Sequence, residues 1–142
     1  MRFWDSSALI PLVVRQAGSA DVEGWIDEDP EVVVWTLTVV EIVSALRRLV
    51  REAALPERAA AAAESTSSAI LKRTHVVADV ERVKAVAVRL LRVHSLRGAD
   101  ALQLGAALLW ADGAPSDLVM HTLDQRLAVA AEREGFRVVP AI

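Results

Sequence analysis

Four acidic residues in this 142-residue chain occupy positions where a carboxylate can do chemistry. Asp5 ends the run Phe3-Trp4, and Glu41 lies just after Val32-Val33-Val34-Trp35. Asp100 opens an almost wholly apolar segment, and Asp124 follows Leu118 to Leu123. Read as strands and helices, those segments put all four acids at strand ends or helix starts. Carboxylates gathered in one place repel one another and are hard to keep ionised without a cation. Hard oxygen donors suit Mg²⁺, with Mn²⁺ as the alternative, held by one or two carboxylates together with waters and a substrate phosphate.

Each acid also has a plain structural reading. Thr38 and Glu41 make Thr-x-x-Glu, the spacing of a capping box. Asp5 and Asp124 each precede a helical segment and fit an N-cap. Asp100 resists this treatment because it stands among Ala99, Ala101, Leu102 and Leu104. Burying an unpaired charge costs far more than the roughly 0.3–1 kcal/mol that a helix dipole returns.

The elements that must position these residues alternate between short β runs and helices. Phe3-Trp4 leads through Asp5 into a helix carrying Leu9, Ile10, Leu12 and Val13. Ser19 to Glu28 has helical spacing at Val22, Trp25 and Ile26. Val32 to Trp35 is a β-branched strand bounded by Pro30. A helix is predicted from Val39 to about Glu52, and Pro56 suits the first turn of the next, whose alanine run favours helix. His75 to Ala78 is a weak strand, followed from Asp79 by an amphipathic helix. Gly98 to about Ala111 reads as a central buried helix whose polar exceptions, Asp100 and Gln103, share a face. Leu118 to Leu123 is a strand, Asp124 to Glu134 a helix closed by Gly135, and Arg137 to Val139 a last strand. Strands separated by helices imply an α/β fold with a mostly parallel sheet of four to five strands between helical layers. In such sheets ligands collect at the carboxyl ends of the strands.

Composition narrows the class. Hydrophobic residues make up 54% and charged residues 25%, with no Pro- or Gly-rich linker, so one domain over residues 1–142 is expected. No cysteine is present, which excludes disulfides and thiolate metal sites. No membrane span or secretory signal is legible, and a cytoplasmic protein is the simplest expectation. A net charge of −3 argues against a broad nucleic-acid-coating surface. Among the 16 basic residues only Lys72 and Lys84 are lysines, the rest being the arginines suited to bidentate phosphate contact or a reflection of genome composition. His75, His94 and His121 lack ligand spacing and are expected to be structural. Trp4, Trp25, Trp35 and Trp110 sit in apolar patterns and are expected to pack.

The four acidic segments together resemble a known family. Asp5-Ser6-Ser7-Ala8-Leu9 is similar to the opening of PIN-domain nucleases, and Thr38-Val39-Val40-Glu41-Ile42 to their second acidic motif. Leu96-Arg97-Gly98-Ala99-Asp100-Ala101-Leu102 resembles the third, and Thr122-Leu123-Asp124-Gln125-Arg126-Leu127 the fourth. The resemblance runs over essentially the whole chain, in motif order, and the length looks most like VapC toxins of type II toxin–antitoxin modules.

That resemblance implies a PIN-like three-layer α/β/α fold and a metal-dependent endoribonuclease leaving a 5′-phosphate and a 3′-hydroxyl. Asp5, Asp100 and Asp124 would face the metal. Glu41 would be a direct or water-mediated ligand, or orient the attacking water. Ser7, together with Thr122 or Ser6, would supply hydroxyls, and Arg97 and Arg126 would touch the RNA backbone, extended by Arg47, Arg48 and Arg51. It further implies a VapB-like antitoxin, for which Trp25, Ile26, Leu46, Leu49 and Val50 are a candidate groove or simply core, and a homodimer. The rival readings are a catalytically inactive PIN-like binding module and a haloacid-dehalogenase-like phosphatase. The latter wants a second Asp where this chain has Ser7, and a late lysine that it lacks.

Overall fold

The computed structural model describes residues 1–142, and its strands run β1 (Arg2–Trp4), β2 (Val32–Trp35), β3 (His75–Val77), β4 (Val119–His121) and β5 (Arg137–Val139). Between them lie α1 (Ser6–Val13), α2 (Ser19–Glu28), α3 (Thr38–Arg51), α4 (Glu57–Leu71), α5 (Val80–Val93), α6 (Gly98–Trp110) and α7 (Gln125–Glu134). The sheet has five parallel strands in the order β3-β2-β1-β4-β5. The fold is thus the expected α/β class. The strand before Asp124 is shorter than its apolar run, covering Val119 to His121 rather than Leu118 to Leu123.

Strand alternation divides the core in two. Phe3, Val33, Trp35, Met120 and Val138 face one way and pack with apolar residues of α5, α6 and α7. Trp4, Val32 and Val34 face the other way, onto α1, α2, α3 and α4 through Leu9, Val22, Ile42, Leu46 and Ala63. Helices therefore cover both faces, giving three layers. Gly105 in α6 permits a close crossing with α5: a β-carbon there would lie 3.1 Å from the Val83 carbonyl oxygen. Gly135 ends α7 at φ 108°, in the left-handed conformation that a side chain would strain.

Because every strand is parallel, all five carboxyl ends lie along one edge. The strand order reverses at β1, so the chain leaves β1 and β4 in opposite directions around the sheet, opening a crevice between their ends. Asp5 follows β1, and Thr122 to Asp124 follow β4. Register brings these ends together, since Trp4 pairs with His121 and the Asp5 amide donates to the His121 carbonyl at 2.9 Å. No helix is long and apolar enough to cross a membrane.

Candidate active site

Asp5 is the most enclosed of the four acids, only 4% exposed. As the N-cap of α1 it accepts from the Ser7 amide at 3.2 Å, so the expected cap is present. The same oxygen, Oδ2, also accepts the Ser7 hydroxyl at 2.5 Å and the Thr122 hydroxyl at 3.0 Å. Each hydroxyl is held from behind: Ser7 Oγ accepts from the Leu123 amide and Thr122 Oγ1 from the Asp124 amide. The two loops after β1 and β4 are thereby stitched through one carboxylate. Burial pushes the Asp5 carboxyl above its ordinary value, outweighing the opposing effect of the Ser7 and Thr122 bonds.

Glu41 arrives from the first turn of α3 but not as a capping-box partner, which corrects the Thr-x-x-Glu expectation. The helix begins one residue early, with Leu37 at the N-cap and no side-chain cap bond. Thr38 is consequently inside the helix and buried, and its Oγ1 accepts from the Gln103 amide nitrogen at 3.1 Å. Gln103 also donates to Glu41 Oε2. Burial pushes the Glu41 carboxyl up to about 7, and the charges of Asp5 and Asp100 add to this, while bonds from Gln103 and Ser6 work the other way.

Asp100 is half-buried rather than fully enclosed, another departure from expectation. It lies at the exposed start of α6, where its Oδ2 accepts from the Arg97 amide at 3.0 Å. The heavy burial penalty falls on Asp5 instead. Asp124 is the N-cap of α7, and its Oδ1 accepts from the Leu127 amide at 2.9 Å. The site thus draws Asp5, Glu41 and Asp100 into electrostatic contact, whereas the Asp124 carboxylate is engaged with its own helix.

No Arg, Lys or His forms an ion pair with any of these four acids. No three acidic or histidine side chains stand close enough to make a ready metal cage. The donor chemistry nevertheless fits a hard divalent ion: it is all oxygen, it has no basic partner, and the charges of Asp5 and Asp100 both raise the Glu41 carboxyl. Mg²⁺ needs only one or two carboxylates because it keeps most of its waters. The larger surface hollows lie elsewhere, including one of about 840 Å³ lined by Arg47, Glu57, Glu64 and Lys72.

Arg97 and Arg126 are exposed beside the acidic segments and free of ion pairs. Arg47 is not free: it pairs with Glu57 at 2.6 Å and Glu64 at 3.5 Å, so it does not extend a basic strip. Leu46 is core, while Trp25, Ile26, Leu49 and Val50 are half-buried, with Trp25 and Ile26 packed against the same cluster as Leu46. His121 is fully buried between Trp4 and Trp25, with ring centroids 4.1 and 4.9 Å away. Burial, then the charge of Arg2, lowers its pKa to about 4, so it is a neutral packing group.

The PIN-domain pattern matches residues 2–138. The chain belongs to the PIN-domain family. Among its relatives, Ribonuclease VapC45 of Mycobacterium tuberculosis is 34% identical over 139 residues, covering 98% of this chain and 94% of that protein. The sarcin–ricin-loop-cleaving toxin VapC20 of the same species shares the PIN fold at TM-score 0.66 and 20% identity, over 92% of this chain and 95% of that one. A toxin–antitoxin complex from Klebsiella pneumoniae matches at TM-score 0.65 and 15% identity, over 90% and 91% of the two chains. Gln103 is the PIN-chain residue whose importance the sequence only hinted at. It was visible as a polar exception on the apolar helix, but nothing local revealed that it reaches Glu41.

Proposed function

We propose that this PIN-domain chain is a divalent-metal-dependent endoribonuclease and the toxin of a VapBC-type pair, acting as a single domain. The observation that carries the reading is that Asp5 and Asp100, from two other junctions at the carboxyl edge of the sheet, both act on Glu41 while none of the three forms an ion pair. Kinship with proteins named ribonuclease VapC supports the substrate class. The antitoxin and a second copy of the chain are its proposed partners.

Asp5, Glu41 and Asp100 would hold Mg²⁺ or Mn²⁺ through one or two direct contacts and intervening waters, with Asp124 at the periphery. The bound ion would lower the pKa of a water and balance charge developing on the scissile phosphate. Asp5 is fixed by its three Oδ2 donors, so its carboxylate is oriented before substrate arrives. Glu41, held by Gln103 on one oxygen, would contact the ion directly or through a water, or orient the attacking water. Arg97 and Arg126 would contact backbone phosphates.

The test is cleavage of single-stranded and hairpin RNA by purified full-length chain with Mg²⁺ or Mn²⁺, with and without chelator. Chelator-sensitive internal cleavage leaving 5′-phosphate ends is expected. Persistent inactivity of folded protein across both ions and substrate types would favour the inactive binding module.

A further inference from the structure

Gln103 is 1% exposed at the third position after Asp100 on α6, one helical turn along the same face. Its amide nitrogen serves two acceptors, Thr38 Oγ1 and Glu41 Oε2, both on the first turn of α3. Its carbonyl oxygen Oε1 is buried with no hydrogen-bond partner. A buried amide that leaves its carbonyl unsatisfied carries a penalty, and that orientation is the one in which both N–H groups meet acceptors. The opposite orientation would set the amide carbonyl against a carboxylate and a hydroxyl oxygen. Glu41 has three side-chain torsions and would otherwise be free to swing at the exposed start of its helix.

We propose that Gln103 is a positioning residue that clamps Glu41 by one oxygen, anchored in turn by Thr38, so that the carboxylate is held toward Asp5 and Asp100. The inference rests on the nuclease reading above and deepens it. Helix α6 then has two duties, one turn apart: Asp100 supplies a charge, and Gln103 fixes the acid that must meet it. The clamp joins residues 62 apart in sequence. Removing a group that orients an ion-binding carboxylate lowers ion affinity or turnover by roughly ten- to a hundredfold.

The experiment compares wild type with Gln103→Met, which keeps length and volume, and Thr38→Val, which keeps shape but removes the anchoring acceptor. Each full-length protein is assayed for Mn²⁺ affinity by electron paramagnetic resonance, for kcat and KM on RNA, and for Tm. The expected result is a Mn²⁺ affinity and kcat at least tenfold lower for Gln103→Met and a smaller loss for Thr38→Val, with KM little changed. A substitution that only perturbs packing would move Tm and leave Mn²⁺ affinity alone. Wild-type Mn²⁺ affinity and kcat in both folded variants, beside an active wild type, overturns the clamp while the nuclease reading stands. A wild type that neither binds Mn²⁺ nor cuts RNA overturns both. A wild type that binds Mn²⁺ without cutting, with weaker binding in Gln103→Met, supports the clamp and removes the nuclease.

Discussion

The charge of Asp5 helps to hold the Glu41 carboxyl up at about 7, although the two residues belong to different strand–helix junctions. Asp100, from a third junction, pushes in the same direction. Two carboxylates thus act on a third that no basic side chain pairs with, and a cation bound there would relieve that opposition.

Replacing Asp5 or Asp100 by Asn is expected to lower RNA cleavage by about a hundredfold or more, given the charge stabilisation a metal site supplies. Asn is preferred to Ala because it keeps an acceptor for the Ser7 and Arg97 amides, so the helix starts survive. Single-turnover kinetics with circular dichroism provides the check. Retained cleavage in either folded variant removes that acid from the active site.

The raised Glu41 carboxyl also makes a stability prediction in the absence of metal. The unfolded chain loses this proton near 4.5, whereas the folded chain keeps it to about 7. Between those values the folded state binds more protons, so this group's contribution to stability falls as pH rises and is flat above about 7. His121 acts in the opposite sense, its contribution being lost as pH falls from 6.5 through about 4. Glu41→Gln should therefore raise the metal-free Tm by a few degrees at pH 7.5 and do nothing at pH 4. Equal shifts at both pH values would show that charge is not the cause.

Divalent ion should stabilise the fold by mass action. At 100 times the dissociation constant, binding to the native state adds about 2.7 kcal/mol. Thermal scans with Mg²⁺, Mn²⁺ or chelator are expected to show a rise in wild type that Asp5→Asn largely loses. No ion-dependent rise in wild type would leave the acidic edge without its proposed ligand.

Arg97→Ala and Arg126→Ala are expected to raise KM several-fold with little change in Tm, since both side chains are exposed and unpaired. Each lost phosphate contact should flatten the slope of log affinity against log salt by roughly 0.7 for single-stranded RNA. An unchanged salt slope would take the arginine out of the RNA interface.

Gly105→Ala tests the helix crossing behind the site. The added methyl would meet the Val83 carbonyl oxygen at 3.1 Å, so α5 and α6 must separate. A loss of about 1–3 kcal/mol is expected from overpacking. Denaturant unfolding that shows no loss would mean that the pair relaxes freely.

The sequence by itself determined the elements. Ser19–Glu28, Val32–Trp35 and Arg137–Val139 coincide with their apolar periodicities, because local spacing decides which face of a segment can be buried. It also determined that acids stand at four junctions, since a run's end is a local property. Tertiary structure alone decided what each acid meets. Asp100 looked buried beside its apolar neighbours, yet its place in the opening turn leaves it half-buried, while Asp5 takes the full burial through contacts from the loop after β4. Thr38 and Glu41 looked like partners of one another and are instead partners of Gln103, because a helix that starts one residue early turns both toward α6. Such contacts join residues more than 60 apart, and they depend on strand order and helix packing, which no local window of sequence contains.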